Sequence, residues 1–341
     1  LKEVAITNYM IMKAKKAVRK FNNLFYEGKS EVKQINETVN ATQAHHIFSQ
    51  SDYPNIADYI ENLIMLTPNQ HFSMAHPDNN TQYIDRDFQY ICLISKFSKI
   101  GFEMSKPISF GICNDEKNVY ILLSWIDGVD LSDALPKLSK EEQYLLGRKA
   151  GKILKAIHSL KVEDKNFEDK LKIKLLDKIE KYESSDVRVE NDDNFIEYVK
   201  RNVDKVCGNY SYLHGDFHPS NLILMKNNEI GVIDFNRWEI SNSYEEFYKL
   251  ESFWIEFSIP YCVGQIDSYF EDDVPNEFWE IQAIYVACYT LYSIKWAEKF
   301  GEKEILGMKR RFYKTFENYE NFKIIIPKWY ADYHNNKGYS L

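Results

Sequence analysis

The string Tyr212-Leu213-His214-Gly215-Asp216-Phe217-His218-Pro219-Ser220-Asn221 constrains this chain more than any other part of it. Gly215 and Pro219 oppose one continuous helix here: glycine is a poor helix former, and an internal proline removes a backbone donor and clashes with the preceding turn. The string therefore reads as a loop, with Asp216 and Asn221 five residues apart on the same side of a cleft. The runs Leu222 to Met225 and Glu229 to Phe235 flank an Asn227-Asn228 turn and read as two short strands. Asp234, in Val232-Ile233-Asp234-Phe235, stands at a strand end, next to the loop through that hairpin.

Asp216 alone would read as a turn residue. With Asn221 and Asp234 at these offsets it reads as chemistry. Moving a phosphoryl group from a nucleotide to an alcohol needs one carboxylate to accept or orient the hydroxyl proton. It also needs oxygen ligands that hold magnesium against the phosphates. Asp216 suits the first role, and Asn221 and Asp234 the second. His214 and His218, four apart, have zinc-pair spacing. The glycine and proline between and after them, and the lack of an obvious third ligand, oppose that reading.

The rest of the chain bounds the class. Its 341 residues, 44% hydrophobic and 15% aromatic, fit two lobes with a packed core. No apolar run is long enough for a membrane span, and the N-terminus lacks the apolar core of a secretory signal. Cys92, Cys113, Cys207, Cys262 and Cys288 are scattered without a CxxC pair, as expected of a chain in a reducing cytoplasm. A net charge of -8 argues against nucleic acid as a partner.

Leu1 to about Gln50 reads as helical. The signal from Ser51 onward is poor until a helical pattern from Tyr83 to Phe97, with His71 to Asn80 turn-like. Pro107 to Cys113 and Val119 to Leu123 read as a hairpin around the turn Asn114-Asp115-Glu116-Lys117. Ser139 with Glu142 forms a capping box that opens a helix to about His158. Phe195 to Val206 reads as helix, as does most of the chain after Tyr244, where Trp279, Ala283, Val286, Thr290 and Ile294 have core spacing. The pair His45-His46 reads as a surface pair, and His158 as a satisfied, partly buried histidine.

His214 to Asn221 resembles the catalytic loop of the aminoglycoside phosphotransferase and choline kinase superfamily, and Ile233-Asp234-Phe235 resembles its metal motif. The resemblance covers about Phe97 to Tyr330. It implies a two-lobed, α/β protein-kinase-like fold: a divergent nucleotide-binding lobe over 1–123, a hinge over 124–128, and a mainly helical catalytic and substrate-binding lobe over 129–341. It implies Asp216 as catalytic base, His214 bracing the loop, and Asn221 and Asp234 as Mg2+ ligands. Ser124-Trp125-Ile126-Asp127-Gly128 resembles the hinge, so that backbone groups of Ser124 and Ile126 would meet the base of ATP or GTP. Asn236-Arg237-Trp238 and Tyr244-Glu245-Glu246-Phe247 resemble the segment that follows the metal motif in the bacterial antibiotic-kinase branch. The implied acceptor is accordingly an aminoglycoside antibiotic or similar amino-sugar, the implied biology antibiotic resistance, and the expected state a monomer or weak dimer.

The first hundred residues depart from that pattern. No strand bearing a central lysine for the nucleotide phosphates is legible before Tyr83, and Gly28 is the only glycine before Gly101. The same departure keeps open a catalytically impaired, kinase-like binding protein, beside a kinase of a metabolic alcohol such as choline or a sugar. Between Glu239 and Glu280 lie eleven acidic residues and one base, Lys249. Such a segment would attract a cationic substrate, with Glu251, Glu256 and Asp267 as the candidate contacts.

Overall fold

The computed structural model describes residues 7–34, 37–77, 83–98, 101–113, 118–159 and 167–337. Its first elements are α1 (Asn8–Phe25), β1 (Gln43–His46), β2 (Leu63–Leu66), α2 (Arg86–Phe97), β3 (Glu103–Met104), β4 (Pro107–Cys113), β5 (Asn118–Leu123) and β6 (Gly128–Asp130). There follow α3 (Leu131–Ala134), α4 (Lys140–Ile157), α5 (Phe167–Glu183), α6 (Asp193–Asn202), β7 (Tyr210–Leu213), β8 (Leu222–Met225), β9 (Ile230–Val232) and β10 (Glu239–Asn242). The chain ends in α7 (Tyr248–Ser252), α8 (Ile259–Tyr269), α9 (Asn276–Ala297), α10 (Glu302–Asn318) and α11 (Lys328–Lys337). Two compact units result. One holds described residues of Leu1–Gly128 with Gly231–Trp238, the other those of Val129–Lys161, Lys165–Ile230 and Glu239–Leu341.

In the first unit β1 and β2 pair antiparallel, with His45 opposite Ile64. All four residues of β2 are buried. Val18 of α1 packs on Ala44, Leu63 and Met65. The side chain of Asp85 caps α2 by accepting from Phe88 N, which satisfies one of the donors a helix start leaves open. β3 runs parallel to β9, Met104 opposite Val232, and β4 and β5 form the expected antiparallel hairpin. Its turn, Asn114 to Lys117, lies outside the described residues.

The sequence reading of one long helical start needs correcting. α1 ends at Phe25, and Gln43–His46 is a strand. Both strands of this pair span four residues, too few to set a period of two apart from a helical one. Neither contains a lysine.

In the second unit the capping box is formed as expected. Ser139 Oγ accepts from Glu142 N at 3.3 Å, and Glu142 Oε2 accepts from Ser139 N at 2.9 Å. α4 crosses α8 so closely that three glycines are required. A Cβ on Gly147, Gly151 or Gly264 would lie 2.1, 2.3 or 2.2 Å from a carbonyl oxygen of the facing helix. α9 is buried on nearly every face, including Trp279, Ala283, Val286, Thr290 and Ile294. Among the described residues no helix is long and apolar enough to cross a membrane.

Candidate active site

The loop that holds Asp216 starts where β7 stops. β7 pairs antiparallel with β10, Leu213 opposite Glu239, and all four of its residues are buried. Gly215 has φ +79°, a conformation open to glycine at little cost. The buried carboxylate of Glu246, in the 3-10 turn Ser243–Phe247, accepts the backbone N–H groups of Gly215 at 3.2 Å and Phe217 at 3.1 Å. Those two bonds fix the backbone on either side of Asp216. The fully buried His214 accepts the N–H of Asp216 through Nδ1 at 3.2 Å, so in this geometry that nitrogen carries no proton. Behind Glu246, His158 at the end of α4 lies 3.6 Å away through Nε2, and its Nδ1 is 2.9 Å from the Tyr269 hydroxyl. Burial raises the Glu246 pKa, but His158 and Lys249 overcome it and hold the group at about 2.

Asp216 has two partners of its own. Lys249 Nζ donates to its Oδ1 and, at 3.0 Å, to the Gly215 carbonyl. His218 Nε2 is 3.2 Å from the same carboxylate oxygen. Burial opposes the charge, yet His218 and Lys249 together keep the Asp216 carboxyl far below the usual carboxylate range. The His218 ring stacks on Trp254 at 5.3 Å. Asn221 is nearly buried, and its Nδ2 donates to the Asp216 carbonyl at 2.9 Å. The loop thus ties its own two ends together, and the Asn221 amide oxygen is the end not engaged by that bond.

Asp234 belongs to the first unit and follows β9. Its backbone is left-handed, φ +63° and ψ +59°, unusual outside glycine and strained unless the surroundings impose it. They do so through its neighbours. Buried Phe235 stacks on Phe97 at 5.2 Å, and Trp238 lies against Phe48 at 5.1 Å and under Arg86 at 5.0 Å. The Asp234 side chain itself is exposed. Asn221 Oδ1 and the Asp234 carboxylate are each hard oxygen donors, the ligand type that magnesium takes.

The segment expected to meet a nucleobase is partly committed. Ser124 N donates to the Lys106 carbonyl at 2.8 Å, and Ser124 Oγ accepts from Lys106 N at 2.8 Å. The Ser124 N–H therefore serves the edge of the β4–β5 hairpin. Ile126 packs toward Gly231, where a Cβ would come within 2.8 Å of Ile126 Cδ1. Between them Trp125 is 87% exposed.

The three acidic residues expected to face a cation are placed differently from one another. Glu251 is buried and accepts from Asn318 Nδ2 at 2.8 Å and from Trp329 Nε1. Burial raises its pKa to about 7 against these donors. Asp267 is buried and receives the hydroxyls of Tyr144 at 2.9 Å and Tyr330 at 2.6 Å. Both carboxylates are thus engaged by internal donors, because their helices turn them inward. Glu256 alone lines a cavity, of about 1020 Å³, and there it is 3.0 Å from Arg311. That cavity mixes Lys140, Arg310, Lys314 and Lys328 with Glu256, Glu317 and Asp332. Its edge is the 3-10 turn Trp254–Glu256, whose tryptophan stacks on His218.

Residues 89–277, more than half of the chain, match the model of the phosphotransferase enzyme family, APH. The chain belongs to that family. A solved GDP complex of an aminoglycoside 2'-phosphotransferase-IIIa mutant has the same fold, at TM-score 0.51 and 14% identity over 64% of this chain and 77% of the other. The gentamicin–APH(2")-IIa complex is similar at TM-score 0.48 and 20% identity, over 67% and 79% of the two chains. A thermostable mutant of APH(4)-Ia with ADP and hygromycin B is similar at 0.49 and 15%, over 63% and 77%. No curated protein matches the sequence significantly. The fold is accordingly the protein-kinase-like fold of aminoglycoside phosphotransferases.

Two residues around the Asp216 loop escape sequence reasoning. Glu246 stands in Tyr244-Glu245-Glu246-Phe247 with nothing in the sequence to give it a role, and Lys249 is the lone base of an acidic segment. That isolation was the available signal: a single lysine among eleven acids is a candidate for a specific pair.

Proposed function

We propose that this phosphotransferase moves the γ-phosphoryl of ATP or GTP to a hydroxyl of a small cationic molecule, an aminoglycoside or similar amino-sugar. The observation that carries the reading is the Asp216 loop, whose backbone Glu246 fixes on both sides of the carboxylate. The family match and the GDP held by the similarly folded aminoglycoside phosphotransferase support the nucleotide and the acceptor class.

In this reading the acceptor hydroxyl hydrogen-bonds to Asp216. With Lys249 and His218 stabilising the anion, Asp216 is a weak base, so its work is to orient the hydroxyl and to take the proton late in the transfer. Lys249 then holds Asp216 in place and keeps it ionised. Asn221, through Oδ1, and Asp234 would hold Mg2+, which neutralises charge on the phosphates when bound. The backbone of Ile126 and the carbonyl of Ser124 would meet the nucleobase edge. The acceptor would lie along the Trp254–Glu256 turn, with Glu256 toward its ammonium groups.

A second reading is favoured by one observation. The cavity beside that turn holds four basic and three acidic side chains, which suits an acceptor of mixed or low charge, such as a metabolic alcohol. A radiolabelled phosphoryl-transfer screen, run with ATP and with GTP, compares aminoglycosides with choline and sugars. Transfer to an aminoglycoside, lost in Asp216→Asn, upholds the first reading, and transfer confined to sugars or choline the second. Magnesium-dependent nucleotide binding without transfer to any acceptor leaves a binding protein.

A further inference from the structure

His45, His71 and His76 converge in the first unit, whereas the Asp216 loop belongs to the second. One ring nitrogen from each lies within 4.8 Å of the others. The rings meet edge to face, with centroids 5.3, 5.1 and 4.9 Å apart. Sequence marked His45-His46 as a surface pair, but His45 is only 2% exposed. It points inward from the buried face of β1, and the two partners come from one turn.

That turn, Gln70–Ala75, is π-helical, with His76 as its C-cap. Such turns gather at functional sites. The turn is held by the buried Gln70, whose Nε2 donates to the Val32 carbonyl at 2.9 Å and whose Oε1 accepts from Thr67 N at 3.0 Å. His71 and His76 therefore face His45 from a fixed support.

The hydrogen bonding of two of the rings is unfinished. His45 Nε2 and His71 Nδ1 are buried and have no hydrogen-bond partner. His76 Nδ1 is 2.8 Å from the Tyr83 carbonyl. A carbonyl only accepts, so Nδ1 bears the proton and Nε2 keeps a free lone pair. A backbone carbonyl that orients an imidazole in this way is the usual second partner of a metal-bound histidine. Leaving buried imidazole nitrogens unpaired costs free energy that a metal ion would recover.

We propose that His45, His71 and His76 form a divalent transition-metal site, suited above all to Zn2+, with three imidazole ligands and a fourth position open to solvent. Zn–N bonds of about 2.0–2.1 Å place tetrahedral ligand atoms about 3.4 Å apart, so small ring rotations close the site. A cavity of about 490 Å³, lined also by Lys15, Ser49 and Ser51, borders the cluster. Lys15 favours an anionic fourth ligand, such as hydroxide. The ion would tie β1 to the π-helical turn and stiffen the first unit.

Chelator-treated full-length protein titrated with Zn2+ against a chromophoric competitor tests this, with Co2+ substitution to report geometry. The expected result is one equivalent per chain, intense tetrahedral Co2+ bands, and a higher melting temperature with zinc. His71→Asn and His76→Gln each lower affinity at least ~10-fold, while His334→Gln, in α11 of the second unit, does not. His71 is only half-buried, so its variant should fold, as far-UV circular dichroism checks. The proposal is overturned if wild-type protein binds no stoichiometric zinc, or if zinc binding survives these substitutions. It is also overturned if His218→Gln abolishes binding, since the ion then sits at the Asp216 loop.

Discussion

The Lys249 ammonium is paired with the Asp216 carboxylate, and their side chains are only 11% and 14% exposed. A lysine placed there makes Asp216 more acidic and also blocks other cations from it. Replacing Lys249 by Met should raise the Asp216 pKa, since burial would then act with only His218 opposing it. The acid limb of the kcat/KM profile should move to higher pH by about one unit or more. Stability moves too. A depressed folded pKa contributes stability above the unfolded value of about 3.9 and loses it as pH falls through the folded value. The variant lacks that contribution, so urea melts at pH 7 should show it less stable than wild type, and the two should converge in strong acid. Superimposable rate profiles would show that Lys249 does not tune Asp216.

Asp216 and Asp234 should fail differently. Asp216→Ala removes the group proposed to orient the acceptor hydroxyl, so turnover should fall by about three orders of magnitude or more with nucleotide affinity largely kept. Asp234→Ala removes a proposed magnesium ligand, so calorimetry should show nucleotide binding that no longer responds to the metal. Near-normal turnover in Asp216→Ala would remove its assigned role.

Glu246 is the buried acceptor on which the loop rests. Glu246→Ala leaves two backbone donors and His158 without their carboxylate, and loss of one partner from such a buried group costs about 3–5 kcal/mol. The same residue predicts an acid limb in stability. Its pKa falls from about 4.3 unfolded to about 2 folded, so its contribution is complete above pH ~4.3 and is lost as pH falls toward 2. Urea midpoints measured across that window should fall for wild type and change less for Glu246→Gln.

Much of this arrangement was legible because it is local. The Ser139 and Glu142 box marked the start of α4, and the spacing of Asp216 and Asn221 marked a loop that does bond to itself. What escaped depends on pairs far apart in sequence. Lys249 meets Asp216 across 33 residues, and Glu246 meets Phe217 across 29. Nothing in either neighbourhood names its partner. Glu251 and Asp267 were read as ligand-facing from net charge, which cannot tell an outward carboxylate from one turned toward Trp329 or Tyr330. His45 looked exposed because its neighbour is a second histidine, yet on a strand the two point to opposite faces. The strand itself was too short to see.

The contact of α4 with α8 sets apart two glycine substitutions that a propensity scale would treat alike. In an open helix Gly→Ala stabilises by about 1 kcal/mol, through lower backbone entropy in the unfolded chain. Gly307 in α10 has nothing within 4 Å of a built Cβ, so Gly307→Ala should raise the urea midpoint. At Gly151 the same methyl would lie 2.3 Å from the Gln265 carbonyl oxygen and 3.0 Å from Tyr269 N. Those are backbone atoms of a packed helix, so no side-chain rotation relieves the clash, and α8 must move away from α4. Overpacking of this kind costs up to about 3 kcal/mol, which exceeds the propensity gain and reverses its sign. The displacement would also pull Tyr269 from His158, and His158 from Glu246, so Gly151→Ala should lower turnover as well as stability. Gly307→Ala should leave turnover unchanged. Equal and positive stability shifts in the two variants would mean that the helices are not in close contact at Gly151.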